Sequence, residues 1–153
     1  MTTSSFFHHC ISQNTGQGQR SKCLFVISLQ VIGENRVVVQ GGTVTLPCKL
    51  IDTTEDITQI SWQRKTRGKP QNDNFFTILP KNGPQFVNGK DDRFKFIGSI
   101  KDNNGTLQIS DVTLLDEGVY TCIFTLFPSG NHKREILLDL IGNTLCITCN
   151  CIM

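Results

Sequence analysis

Hydrophobic and polar residues alternate with period two along most of the chain after residue 36, which is typical of β-strands with one buried face. Val44, Leu46 and Cys48 fall on one side of such a strand and are predicted to face the core. Ile60 and Trp62 share the inward side of the next strand. With the turn residues between its segments, the pattern predicts strands at 37–39, 43–48, 59–63, 75–79, 93–96, 106–110, 119–126 and 133–141. The chain is therefore predicted to be all β.

The segment at 116–122 has the sequence Asp-Glu-Gly-Val-Tyr-Thr-Cys, and its distance from two upstream residues is informative. Cys48 lies 74 residues before Cys122, and Trp62 lies between them. This Cys…Trp…Asp-x-Gly-x-Tyr-x-Cys arrangement resembles the variable-type immunoglobulin fold. The resemblance implies a two-sheet Greek-key sandwich whose sheets are joined by one disulfide between Cys48 and Cys122. It also implies that Trp62 packs on the bridge and that Tyr120 hydrogen-bonds back to the backbone.

The same resemblance implies further features of the domain. In variable-type domains an arginine that opens a late strand pairs with the aspartate of the Asp-x-Gly-x-Tyr motif, which implies an ion pair between Arg93 and Asp116. The segment between the two cysteines is long enough for the C′ and C″ strands of the variable type. A disulfide between Cys48 and Cys122 needs an oxidising compartment, and closing its loop stabilises a domain by about 4 to 5 kcal/mol in the chain-entropy model. An extracellular location is therefore expected.

The domain organisation follows from length and composition. At 153 residues, the chain can hold one sandwich of roughly 100 residues but not two. The domain is predicted to span 28–141, preceded by a leader or disordered segment at 1–27 and followed by a cysteine-containing tail at 142–153. The apolar run at 23–33 has two interpretations, a signal peptide extending to 33 or a first strand at 28–32, and both stay open. This run is too short to cross a bilayer, so no transmembrane segment is expected.

The charge distribution bears on the class of partner, and one N-glycosylation sequon bears on the secretory route. The chain has 15 basic and 13 acidic residues, a net charge of +2, and its basic cluster at 64–69 lies among turn formers. Neither a nucleic-acid partner nor a small-molecule substrate is expected. The sequon at 104–106, Asn-Gly-Thr, predicts glycosylation of Asn104 on the secretory route.

Cysteine and histidine positions give little sign of catalysis. Two of the 3 histidines precede residue 10 and the third, His132, lies at a predicted loop tip, so no acid–base pair, enzyme activity or cofactor is predicted. The 7 cysteines are an odd number. The spacing of three in the tail allows a zinc or redox hypothesis, but no fourth ligand lies nearby, and a metal site is not the favoured interpretation. The cysteines without an assigned state are Cys10, Cys23, Cys146, Cys149 and Cys151.

The predicted outward face of two strands is uncharged. The inward side of the strand at 119–126 carries Tyr120, Cys122 and Phe124. The outward residues of this strand and of the strand at 59–63 are Val119, Thr121, Ile123, Thr125, Gln59, Ser61 and Gln63. An uncharged, partly apolar sheet face with polar loops around it is suited to binding another protein.

Two short segments extend the resemblance from fold to family. Ile-Thr-Gln at 57–59 and Phe-Pro-Ser-Gly at 127–130 resemble the paired motifs of the nectin and poliovirus-receptor group of adhesion receptors. In that group an aromatic side chain between strands F and G inserts into a pocket on the partner's facing sheet. The resemblance implies that Phe127 with Pro128 is the inserting element and that Gly130 permits its turn.

The receiving pocket is implied by the same resemblance. Thr58 and Gln59 would line it, and Gly83 occupies the position of the family's C′–C″ glycine. Phe76 belongs to the same predicted pocket, although the family usually has alanine there, and Leu126 stands where threonine is usual. Both departures affect pocket shape and partner choice.

The sequence therefore predicts an extracellular recognition or adhesion module that binds another V-type domain, either of a nectin-like receptor or of a second copy of itself. It leaves open whether the chain is secreted or part of a cell-surface ectodomain. The alternatives are a secreted decoy, an immune-type V-domain receptor with a different ligand, and a metal or redox protein that uses the cysteine tail.

Overall fold

The computed structural model describes residues 8–13, 16, 20–25 and 28–142. Its two 3₁₀ turns are Ile100–Asp102 and Leu114–Asp116. Its strands are β1 (His8–Gln13), β2 (Arg20–Phe25), β3 (Gln30–Gly33), β4 (Arg36–Val39), β5 (Val44–Leu46), β6 (Cys48–Ile51), β7 (Asp56–Thr66), β8 (Asp73–Leu79), β9 (Gly83–Phe86), β10 (Phe94–Phe96), β11 (Leu107–Ile109), β12 (Gly118–Phe127) and β13 (Gly130–Ile141). The predicted all-β fold is confirmed.

Two sheets pack face to face. One is six-stranded, in the order β4-β13-β12-β7-β8-β9, and only its β4–β13 pair is parallel. The facing layer of the sandwich is made of the three-stranded sheet β10-β11-β5 and the two-stranded sheet β3-β6. Pro47 separates β5 from β6, as expected for a residue that has no backbone N–H for the ladder. The strands β8 and β9 are the predicted C′ and C″ strands, so the variable-type sandwich is confirmed.

The core lies between the sheets, where the period-two pattern places it. Cys48 and Cys122 form the inter-sheet disulfide, and both are almost completely buried. Trp62 lies opposite Cys122 in the β7–β12 register and is 0% exposed. Its indole Nε1–H donates to the carbonyl of Gly105 at 2.8 Å, which satisfies the one polar atom that the ring buries.

A charged cluster closes the end of the sandwich where β12 begins. The guanidinium of Arg93 contacts both carboxylate oxygens of Asp116, at 2.6 and 3.0 Å. The Tyr120 hydroxyl donates to the Asp116 carbonyl at 2.8 Å. Burial by itself would raise the pKa of Asp116. Hydrogen bonds from Arg93 and from the Thr113 backbone, together with the charge of Arg93, outweigh burial and lower that pKa below its usual value.

This ion pair predicts a pH dependence of stability. Because its pKa is lowered in the folded state, Asp116 contributes stability above its unfolded pKa of about 4, and this is lost as the pH falls through the folded pKa. We expect Asp116→Asn to lower the free energy of unfolding by about 1 to 2 kcal/mol near neutral pH and by progressively less below about pH 4. Urea titrations at a series of pH values measure this, with the exposed Asp102→Asn as control. A deficit that did not change with pH would contradict the assignment.

The N-terminal segment contains one hairpin that the sequence pattern did not predict, and one strand at the place where a first strand at 28–32 was one of two interpretations. β1 and β2 pair as an antiparallel hairpin inside the range expected to be a leader or disordered. β3 pairs with β6, so residues 30–33 form a strand of the sandwich. Cleavage of a signal peptide and the bounds of the domain stay predictions. No helix in the described ranges has the length and hydropathy needed to cross a membrane.

Candidate protein-binding face

The outer face of the six-stranded sheet is built from two central strands. Residues of β12 that alternate with buried Tyr120, Cys122 and Phe124 point outward, as predicted, and each lies beside an outward residue of β7. These cross-strand pairs are Thr125–Gln59, Ile123–Ser61, Thr121–Gln63 and Val119–Lys65. On the other side of β12, Lys133 and Glu135 of β13 lie beside Ile123 and Thr121. The centre of the face is therefore uncharged, and its charges lie at the edges.

Phe127 ends β12 and projects from this sheet. Its side chain is 71% exposed, the highest value among the large hydrophobic residues of the described chain. Pro128 and Ser129 are exposed beside it, and Gly130 has a φ of +92°, which a residue with a side chain rarely adopts. An aromatic ring exposed to water at the end of a strand is a candidate anchor for a partner.

The turn after Phe127 is tied to the loop that precedes β7. The Ser129 backbone N–H donates to Glu55 Oε1 at 3.1 Å, and the Ser129 hydroxyl donates to Glu55 Oε2. The Ser129 Oγ also lies 2.8 Å from His132 Nε2. Neither Glu55 nor Ser129 has a role predicted from the sequence, because the two are 74 residues apart and no motif joins them.

The grouping of serine, histidine and glutamate is not a catalytic triad. In a triad the carboxylate orients the histidine, whereas here Glu55 bonds to Ser129. These contacts are exposed, and therefore lack the water-excluded setting that strengthens catalytic electrostatics. Among the described residues, no cluster of His, Cys, Asp and Glu could hold a metal ion. The tail cysteines Cys146, Cys149 and Cys151 lie outside the described residues.

An open groove of about 440 Å³ is lined by the first residues of β7 and the end of β8, on the side of β7 that faces away from β12. Thr58 lines it, as predicted, and the Thr58 hydroxyl donates to the Thr125 carbonyl at 3.0 Å. Gln59, predicted to line the same pocket, is not among the residues that line this groove; it lies on the outer face opposite Thr125, and its amide donates to Ser61 Oγ at 2.5 Å. The lining residues are Ile57, Thr58, Leu79, Pro80, Lys81 and Asn82. Gly83, with a φ of +71°, follows the loop 80–82 and begins β9.

Phe76 is not part of the exposed receiving surface, which corrects that prediction. Its side chain is only 3% exposed and packs edge-on against Phe86, with ring centroids 5.2 Å apart. The register of β7 and β8 shifts between Trp62 and Gln63, so the consecutive residues Phe75 and Phe76 are both buried. From β8, it is Leu79 that reaches the groove.

Phe127 and the groove belong to one end of one sheet. In the β12–β7 register Leu126 lies opposite Ile57 and Phe127 opposite Asp56. Ile57 also lines the groove, so the projecting ring and the groove flank the same residues of β7. The chain therefore carries an apolar projection and a partly apolar concavity beside an uncharged sheet face, an arrangement suited to protein binding.

A two-sheet sandwich with this disulfide, this tyrosine and these C′ and C″ strands defines a variable-type immunoglobulin domain. Residues 33–139 match the family model of the immunoglobulin V-set domain. The chain belongs to the immunoglobulin V-set family.

Known proteins of similar sequence include nectins. Human nectin-2 is 34% identical over 130 residues, which cover 76% of this chain and 24% of nectin-2. Mouse nectin-2 is 35% identical over 114 residues, with 67% and 20% of the two chains covered. Mouse cell surface glycoprotein CD200 receptor 1 is 32% identical over 105 residues, with 69% and 31% covered. The predicted resemblance to nectins is confirmed, and the chain spans less than a third of the length of each of these relatives.

Proposed function

We propose that this chain is an extracellular recognition module that binds another V-type immunoglobulin domain through the outer face of its six-stranded sheet. The observation that carries the proposal is the 71% exposed Phe127 on a tethered turn, beside a groove and an uncharged face. Burying such a ring against a partner removes apolar surface from water, and aromatic anchors of this kind dominate binding energy at many interfaces. The disulfide supports a location outside the cytoplasm, either secreted or in a cell-surface ectodomain.

The partner we propose is a nectin-like V-type domain or a second copy of this chain. The similarity to human and mouse nectin-2 supports this class of partner. Because the projecting ring and the groove are both on this chain, a related domain with the same two features could receive Phe127 and insert its own aromatic residue in return.

Direct binding tests the proposal. The full chain, made with its disulfide formed, is immobilised and exposed by biolayer interferometry to itself and to the human nectin-2 ectodomain. We expect saturable binding of at least one of the two, with a Kd of about 10 μM or tighter. Absence of binding to both at roughly 100 μM would contradict the proposal.

A V-domain receptor with a different ligand is a second candidate, supported by the similarity to mouse CD200 receptor 1. Such a receptor could also use the outer face, but its affinity would not need to depend on Phe127. Binding to the CD200 ectodomain that Phe127→Ala leaves unchanged would favour this candidate.

Asn104 is expected to carry an N-linked glycan when the chain is made in secretory cells. It lines an open groove of about 300 Å³ on the opposite sheet, so a glycan would leave the proposed binding face free. Its Oδ1 accepts hydrogen bonds from the Thr106 N–H and hydroxyl, at 3.0 and 2.5 Å, which leaves the amide nitrogen available for attachment. Intact mass before and after peptide N-glycosidase measures this, with Asn104→Gln as the negative control and Thr106→Ser retaining the sequon. An unchanged wild-type mass would contradict the prediction.

A further inference from the structure

The loop before β7 holds the turn after β12 through one side chain. The two carboxylate oxygens of Glu55 each accept a hydrogen bond from Ser129, one from its backbone N–H and one from its hydroxyl. The backbone N–H of Glu55 donates to Thr53 Oγ1 at 3.0 Å, which is a local contact within the loop before β7. We refer to the Glu55–Ser129 contacts as the turn tether. They join two loops that the chain separates by 74 residues.

The backbone of Phe127 lies in the β12 ladder opposite Asp56, but few side-chain contacts restrain its ring and the turn that follows it. The ring is 71% exposed, so packing does not fix it, and Gly130 has the conformational freedom of a glycine at positive φ. Another hydrogen bond joins the two strands that flank the turn, where the Thr125 hydroxyl of β12 donates to Asn131 Oδ1 of β13 at 2.8 Å. It does not involve Phe127 or Ser129. Ser129 Oγ also lies 2.8 Å from His132 Nε2, but His132 belongs to the same hairpin, so the tether is the side-chain contact that joins the turn to another part of the chain.

We propose that Glu55 is a positioning residue for Phe127: it fixes the turn in the bound geometry before a partner arrives. The inference rests on the proposed function, in which Phe127 is the anchor. Ordering an exposed loop during binding costs affinity, and a loop that is already ordered avoids that cost. Hydrogen bonds to a carboxylate are stronger than those between neutral groups, so a single glutamate can supply this order.

Amide hydrogen exchange tests the tether without any partner. Glu55→Gln keeps the size of the side chain but removes the charge and one of the two acceptor oxygens. We expect the Ser129 amide to exchange about fivefold faster in Glu55→Gln than in the wild type, while the Cys122 amide in the middle of β12 is unchanged. Glu34→Gln is the matched control, since Glu34 is an exposed glutamate that pairs with Arg36 rather than with the turn. Equal Ser129 exchange in the wild type and Glu55→Gln would overturn the proposal.

A double-mutant cycle then tests whether the tether acts through Phe127. Affinities of the wild type, Glu55→Gln, Phe127→Ala and the double variant are measured against the full chain and the human nectin-2 ectodomain. We expect Glu55→Gln to weaken binding about fivefold to tenfold when Phe127 is present and by less than about twofold in the Phe127→Ala background. An equal loss in both backgrounds would overturn the positioning role and leave the proposed function intact.

Different results would contradict the proposed function and the positioning role of Glu55. If Phe127→Ala does not change affinity, or if neither probe binds, the proposed function fails, and the exchange rate of the Ser129 amide alone decides whether Glu55 holds the turn. If Phe127→Ala weakens binding and Glu55→Gln does not, the positioning role fails by itself.

Discussion

Replacing Phe127 with alanine is expected to weaken binding to a V-type partner by about 30-fold or more, which corresponds to ~2 kcal/mol. The reason is the position of the ring. Phe127 is 71% exposed at the end of β12, so it contributes little to the core, and its apolar surface becomes buried only when a partner covers it. The loss should therefore appear in affinity and not in the free energy of unfolding. Biolayer interferometry and urea titration measure the two quantities separately.

A matched control for this variant is Leu115→Ala. Leu115 is 63% exposed and lies in the turn before β12, at the opposite end of that strand from Phe127. We expect its removal to leave affinity within about twofold of the wild type. An equal loss of affinity for the two variants would mean that exposed apolar area in general, rather than the ring of Phe127, drives association.

Removing the inter-sheet bridge is expected to have the largest effect on stability. The disulfide between Cys48 and Cys122 closes a loop of 74 residues, for which the chain-entropy model gives about 4.5 kcal/mol. Because domains of this size are stable by only about 5 to 15 kcal/mol, the double variant Cys48→Ala, Cys122→Ala should be close to unfolding. Guanidinium titration of this variant and of the oxidised wild type measures the difference.

A loss below about 1 kcal/mol would contradict this account of the bridge. Val119→Ala provides a control on the same strand, because Val119 points outward while Cys122 is 0% exposed. It should cost much less than removal of the disulfide, since a partly exposed side chain leaves no cavity in the core.

The strands and the inter-sheet disulfide could be predicted, because the residues that determine them are neighbours in the sequence or lie at fixed spacings. Alternation alone predicted a strand at 119–126, and the structure has β12 at Gly118–Phe127. The motif that ends in Cys122 implied the partner Cys48 and the hydrogen bond of Tyr120, and both are present; Trp62 is buried opposite Cys122 in the β7–β12 register. These features recur together at set distances in variable-type domains, which is why one of them implies the others.

The candidate site was less predictable, because it depends on how separate segments meet. The burial of Phe76 follows from a register shift next to Trp62, which alternation within β8 could not reveal. The contact of Glu55 with Ser129 joins two loops far apart in the sequence. The groove depends on the loop 80–82 as well as on Thr58, and the hairpin of β1 and β2 lies where no alternating pattern was found.

Binding through the outer face of the six-stranded sheet is tested most directly by placing one charge on each sheet. Ile123 lies at the centre of that face, beside Ser61, whereas Gln108 of β11 points outward from the opposite sheet. The measurement is the affinity of Ile123→Arg and of Gln108→Arg for the full chain and for the human nectin-2 ectodomain. We expect Ile123→Arg to lose about tenfold or more and Gln108→Arg to remain within about twofold of the wild type. Wild-type affinity of Ile123→Arg, together with a loss for Gln108→Arg, would contradict the account.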